Sequence, residues 1–564
     1  MISTLVKFSI NNRWLVILFT VILAFAGWES FKKLPIDAVP DITNAQVQVN
    51  TQVEGRGPNE IERTVTYPIE TALNGVPGVT QVRSITRYGL SQVTVVFEEG
   101  TDIYRARQLI SERLQSISNQ LPSFVRPQLG PVSTGLGEIF HYVIEADKVE
   151  TGEKRLEQLS EIRAIQDWHV KPRLLTVKGV AEVNTIGGYE RQYHIEPNPE
   201  LLVKYGLHFD DLEAAIEKVN KNAGGGYIEQ TGDQFVVQGS SLFEELDDIR
   251  DVHVKTLGNF KSITIGDIAK VGLGKELRTG AALYNGEEVV LGTVLMLLGE
   301  NSREVSLRVA DQIKKVKKGL PEGYKLKTLY NRSDLVNATL DTVKSNLLTG
   351  AALVIIILFL LVGNMRAALI TAIVIPTSLL ITFIIMKKYG ISGNLVSLGA
   401  LDFGIIVDGA VIVLDNCVRH IHEKAKELGR KLNSLEIKTT IYEATMEIRR
   451  SAGFGELIIV VVFLPVFAFV GIEGKMFIPM AATFIFAILA AITLSFTFVP
   501  ALASILLKGD VKDKEPVLMR GLQKLYSPML DYSLKAKRMV ISLSLGAVVL
   551  AVVLFLRLGG EFLP

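Results

Sequence analysis

Hydrophobic residues along this chain are gathered into long uncharged blocks rather than scattered. A helix needs about 20 apolar residues to cross a hydrocarbon layer of roughly 30 Å. Seven stretches approach that length: Trp14 to Trp28, Leu347 to Val362, Ala367 to Met386, Leu395 to Val418, Leu457 to Val470, Phe477 to Leu507 and Met539 to Leu556. The first has no small-x-small cleavage site and runs into Glu29-Ser30-Phe31-Lys32-Lys33, so it reads as a retained anchor. Between the first two stretches the period of the pattern changes. Ala45 to Val53 alternates as a strand, Pro58 to Leu73 has helical periodicity with proline at its start, Gln92 to Phe97 is a strand, and Thr101-Asp102 opens a helix reaching Ile117.

A second series follows: a strand at Phe140 to Glu145, a helix at Arg155 to Leu175, and strands at Val180 to Ile186 and Gln192 to Glu196. Two β-α-β-type units in tandem, with split βαβ topology, account for both series. The helix Phe209 to Val219 and the strands flanking Thr231-Gly232-Asp233 read as an insertion carrying a hairpin.

Composition narrows the class. Of 564 residues 48% are hydrophobic, and 60 Lys+Arg balance 59 Asp+Glu. That excludes a disordered chain and a strongly basic nucleic-acid binder, and the single cysteine, Cys417, excludes a disulfide-stapled fold. Lys7, Arg13, Arg366 and the Lys/Arg-rich segments 419 to 450 and 508 to 538 all fall on one side if the seven spans alternate. By the positive-inside rule that side is the cytoplasm, which puts the N-terminus inside and residues 32 to 338 outside, with Lys387 and Lys388 as exceptions. The exit from the first span, Phe31-x-Lys33-Leu34-x-x-Asp37-x-x-Pro40, recurs after the last as Phe555-x-Arg557-Leu558-x-x-Glu561-x-x-Pro564. A second copy of the pattern is therefore expected to begin there, making these residues half of a duplicated transporter.

The candidate chemistry lies in the fourth span, read as the one apolar block whose interior holds acids: Asp402, Asp408 and Asp415. A carboxylate at bilayer depth costs a few kcal/mol or more. Burial favours its neutral form, so such a group can carry a proton. At about 100° per residue Asp408 and Asp415 fall within roughly 20° of one another, whereas Asp402 lies about 120° away. Gly404 and Gly409 are candidate positions for close helix approach beside these acids. Asp402-Phe403-Gly404 lacks the rest of a kinase signature, and no G-x-x-x-x-G-K-[ST] occurs, so the energy source is expected to be an ion gradient or a separate subunit. An intramembrane aspartyl protease would need its carboxylates on separate helices. His420 and His422 point to different faces, and His141, His169, His194, His208, His253 and Met296 have no metal-ligand spacing.

These residues resemble the heavy-metal efflux branch of the resistance-nodulation-division (RND) transporters, of the cobalt-zinc-cadmium type. The resemblance is carried by Leu34-Pro-Ile-Asp-Ala-Val-Pro-Asp-Ile-Thr-Asn44, Ser84-Ile-Thr-Arg-Tyr-Gly-Leu-Ser-Gln-Val-Thr-Val-Val-Phe97, Gly130-Pro-Val-Ser-Thr-Gly-Leu-Gly-Glu-Ile-Phe140 and Asp402-Phe-Gly-x-x-x-Asp-Gly-Ala410. The last is similar to the signature of divalent-cation exporters, and the copper/silver exporters of the branch lack its leading Asp-Phe-Gly. The family's Glu-Asn appears here as Asp415-Asn416.

The resemblance implies an α+β membrane protein, the first half of an internally duplicated RND fold. It implies a cytoplasmic N-terminus and first transmembrane helix over 1–31, and a periplasmic porter domain of split βαβ, ferredoxin-like subdomains over 32–338, with a docking hairpin near 209–240. Transmembrane helices two to six would occupy 339–507, a cytoplasmic connector 508–538, the seventh helix 539–557, and the start of a second periplasmic repeat 558–564. It further implies a homotrimer in the bacterial inner membrane, joined to a periplasmic membrane-fusion adaptor and an outer-membrane channel, with no nucleic-acid partner and no resident cofactor. In the family the positions of Asp402, Asp408 and Asp415 form a proton relay, and the metal ligands lie mainly beyond Pro564. The expected activity is proton-driven efflux of zinc, cobalt, cadmium or nickel by a secondary transporter rather than an enzyme, with export of organic compounds as the alternative.

Overall fold

The computed structural model describes residues 2–37, 40–53, 55–257, 262–276, 280–362, 364–399, 403–507 and 517–557. The chain divides into two compact units, Met1–Asn44 with Asp334–Pro564, and Ala45–Ser333.

In the second unit, β1 (Gln46–Gln52) buries Val47, Val49 and Thr51 on one face, as its alternation requires. The segment Pro58–Leu73 is helical throughout, with a π-helical turn at Glu62–Thr66, and buries Ile61, Val65, Ile69 and Leu73 as a stripe at four-residue spacing. β2 (Val79–Arg87) and β3 (Leu90–Phe97) follow, then the helix Ile103–Ser116, whose N-cap Asp102 accepts the amides of Tyr104 (2.8 Å) and Arg105 (3.1 Å). β4 (Gln128–Leu129) closes the sheet in the order β2-β3-β1-β4, the split βαβ arrangement.

The second sheet is assembled from distant pieces. β5 (Glu138–Ala146), the helical segment 153–175 and β6 (Val180–Ile186) come first. An insertion then supplies β7 (Arg191–Pro197), β8 (Ala223–Gln230), β9 (Asp233–Gly239), β10 (His253–Thr256), β11 (Ser262–Thr264) and β12 (Ala269–Lys275). β13 (Ala282–Tyr284), β14 (Glu287–Met296), the helix Ser302–Lys318 and β15 (Tyr324–Asn331) complete the sheet, with β14 lying between β5 and β6 and β15 on the far side of β5. β7 was expected in the second βαβ unit. It pairs with β12 inside the insertion instead, so the unit's later strands come from residues 287–331. β8 and β9 form an exposed hairpin.

The other unit holds the apolar helices: α1 (Arg13–Lys32), α2 (Arg332–Val362), α3 (Met365–Tyr389), α4 (Phe403–Leu428), α5 (Ser434–Phe463), α6 (Gly471–Phe496) and α7 (Lys537–Phe555). Among the described residues six helices are long and apolar enough to cross a membrane, seven if α5 and its continuation count; that helix bends by 43° between Arg449 and Gly453. On α1, Trp14, Leu15, Leu18, Phe19, Ile22 and Phe25 are exposed, and α7 buries nothing. Such apolar surface suits lipid, and Trp14 and Trp28 stand about 21 Å apart along α1, as interfacial anchors do. α1 packs on α3 where a side chain at Gly27 would overlap the Leu380 backbone, a close approach that only glycine permits.

The soluble domain was expected to span 32–338. Residues up to Asn44 instead cluster with the helices, because Asp37 N–H donates to the Gly393 carbonyl (3.1 Å), Gly393 N–H to Pro35 (2.9 Å), and Lys475 Nζ to Thr43 (2.5 Å). Residues 334–338 continue α2 without a break. The expected second-repeat segment 558–564 and most of the connector, 508–516, lie outside the described residues.

Candidate functional site

α4 is amphipathic within an apolar setting. Ile406, Val407, Ala410, Val413, Leu414, Cys417 and Ile421 are buried at helical spacing and pack into the bundle. The opposite stripe carries Gly404, Asp408 and Asp415, all exposed in this chain. Two carboxylates seven residues apart on a helix share a side, and here that side is open. Within this chain the neighbouring helices take the apolar stripe and leave Asp408 and Asp415 uncovered. Among the described residues neither has an ion-pair partner. Asp402 lies outside the described residues.

The buried acid of the bundle is one the sequence reading missed. Glu456, on α5, is only 4% exposed, and among the described residues neither of its carboxylate oxygens has a hydrogen-bond partner. Its side chain reaches α4 at Gly409, where an added Cβ would collide with Glu456 Oε1. Gly409 is thus the seat of a carboxylate from the next helix, and the residue before it is Asp408. The fifth apolar stretch was taken to start at Leu457, one residue too late to include this acid. The signal available was Gly453-Phe454-Gly455-Glu456, two glycines and an acid at an apolar boundary.

Nearer the other end of the α4–α5 contact, polar groups pair with one another. Glu447 Oε2 accepts from Asn416 Nδ2 (3.0 Å) and lies 2.5 Å from His420 Nε2, with the Arg419 guanidinium 3.7 Å away. Asn416 also donates to the Ala444 carbonyl (2.9 Å) and accepts from Arg419 (2.7 Å). No group of three or more His, Cys, Asp or Glu able to hold a metal ion occurs among the described residues. His141 pairs with Glu138 and His169 with Arg173, both one helical turn or less away in sequence.

Residues 5–564 match the AcrB/AcrD/AcrF family. The chain belongs to that family. It is 51% identical over its whole length to Protein HelA of Legionella pneumophila and 49% identical to the cobalt-zinc-cadmium resistance protein CzcA of Cupriavidus metallidurans, covering 53% of each. A crystal structure of a heavy metal efflux pump superposes on 99% of this chain with a TM-score of 0.86 at 33% identity, again covering 53% of that chain. The chain thus spans about half the length of the curated relatives it matches and carries half of the RND transporter fold, within the heavy-metal branch that the fourth-span motif resembles.

Proposed function

We propose that this chain belongs to a proton-driven exporter of divalent heavy-metal cations, zinc, cobalt, cadmium or nickel. The observation that carries the reading is the open stripe of α4, where Asp408 and Asp415 stand without an ion-pair partner among the described residues in the apolar first half of the helix. Relatives named as cation efflux and cobalt-zinc-cadmium resistance proteins at 49% identity support the substrate class. Asp408 is assigned as the acid that binds and releases the transported proton. Asp415, with Asn416 beside it tied into the α4–α5 contact, is assigned as its neighbour on the path. Asp402 completes the relay by resemblance to the family motif.

A proton moves only if protonation and metal occupancy favour different conformations, so each biases the other through the helices. From the positive-inside pattern we read residues 32–338 as periplasmic and the paired Glu447 end of α4 and α5 as cytoplasmic. The working assembly is proposed as a homotrimer in the inner membrane with a periplasmic adaptor and an outer-membrane channel. The cation and the proton are substrates, and no resident cofactor is assigned.

The test is zinc transport by the full-length protein in vesicles under an imposed proton gradient. Asp408→Asn is expected to abolish gradient-driven zinc flux while the protein still folds. Full flux in that variant would remove the relay, and gradient-driven export of dyes without metal flux would replace the substrate class.

A further inference from the structure

An ionisable side chain shut away from water is held there at a cost unless a partner or a function offsets it. Glu456 has no hydrogen-bond partner among the described residues. The positions one turn before and one turn after it on α5 pack against apolar residues. One turn earlier on α5, Gly453 faces the Phe496 ring of α6, and one turn later Val460 is buried with Ile485 and Ile488 of α6, with Ile405 of α4 packed against them. A cation could have neutralised the acid, but among the described residues the packing elements supply none at this level. The charged residues of α6 are Glu473 and Lys475, both within its first turns, and the helix Phe498–Leu506 and the turn Leu464–Ala468 have none. The N-terminal helix Ile2–Asn11 carries only Lys7, and Arg449 lies two turns back along α5 itself. On α4, the residue next to the contacted Gly409 is Asp408, an acid.

We propose that Glu456 is a further proton-carrying residue of the transporter, sharing one proton with Asp408 across the gap left by Gly409. A carboxylate enclosed without a partner is held at a cost, and a proton taken from the neighbouring acid relieves it. In the transfer, the O–H bond of the Asp408 acid breaks as an O–H bond forms on the Glu456 carboxylate. The pair keeps one negative charge throughout, and the return step restores both groups. The arrangement gives the proton an interior resting place on α5 while Asp408 itself faces the open side of α4. Gly409 contributes by having no side chain, since any Cβ would take the space of Glu456 Oε1.

The inference rests on the proton-driven reading, and its test separates the two. The full-length protein is reconstituted in phosphatidylethanolamine/phosphatidylglycerol vesicles, with zinc as probe, across a series of pH values. Glu456→Gln keeps the shape and removes the titration. It is expected to lower gradient-driven zinc flux by roughly 10²-fold, in the range that positioned proton-transfer groups contribute, and to change the pH profile. Glu456→Asp is expected to restore the profile in part. A Glu456→Gln protein with the normal rate and profile overturns the inference but leaves the transport reading intact if Asp408→Asn is inactive. An active Asp408→Asn protein sinks the transport reading instead. Infrared difference spectra of the wild-type protein in the same vesicles give a readout independent of folding in the variants: a buried carboxyl band that appears on acidification supports the inference. A band confined to solvent-exposed carboxyls, exchanging at once in deuterated buffer, overturns it.

Discussion

Glu447 and Glu456 stand on the same helix and both turn toward α4, yet one is fully paired and the other has no partner among the described residues. Glu447 is half exposed and meets Asn416, His420 and Arg419. Glu456 is almost completely enclosed against Gly409. A paired, hydrated carboxylate is a clasp: its charge is satisfied in one state, and changing its protonation breaks contacts. An enclosed, unpaired carboxylate has little to lose by taking a proton. The bend in α5 between Arg449 and Gly453 separates these two regimes.

Four substitutions sharpen the contrast. Asn416→Asp would put a carboxylate at a position only 6% exposed, facing the Ala444 carbonyl and Glu447. It should cost the most, about 3 kcal/mol, as expected when a buried donor is exchanged for a charge without a partner. The check is thermal unfolding of the detergent-solubilised protein. Gly409→Val should force α4 and α5 apart at the other end, costing about 1–3 kcal/mol as overpacking does, with a fall in resistance to limited proteolysis. Glu456→Gln should act in the opposite sense. At alkaline pH, where the wild-type side chain is a carboxylate with no partner, the variant should be more stable by about 1 kcal/mol, and the gap should close at acid pH where both side chains are neutral. Were Glu456 a clasp like Glu447, that substitution would destabilise the protein instead. His420→Gln should have the smallest effect, a slight drop in unfolding temperature, because its partner is hydrated and keeps Asn416 and Arg419.

How much of this was legible in the sequence depended on whether a pattern was local. Val47, Val49 and Thr51 alternate within one strand, and Ile61, Val65, Ile69 and Leu73 repeat within one helix, so these elements of the first layer could be read directly. β2 escaped because Val79 to Arg87 is half-exposed and its residues are largely polar. The second sheet escaped because its partners lie on either side of a long insertion, and periodicity says nothing about which strands pair. The seven-residue spacing of Asp408 and Asp415 put them on one stripe, as the helix then shows. That the stripe faces outward depends on what the neighbours bury. Glu456 was invisible to a search for uncharged blocks, since the criterion that defined the fifth block discarded the acid at its border.

The position of β14 has a consequence for synthesis. It is the strand between β5 and β6, but it follows them by about a hundred residues of insertion. While the chain emerges, β5 and β6 have no central strand to join them and present bare edges, an invitation to wrong pairings. The sheet can close only after residues near Met296 have been made. Slow maturation and dependence on holding factors during synthesis should therefore be properties of the second sheet and not of the first, whose strands arrive almost in succession.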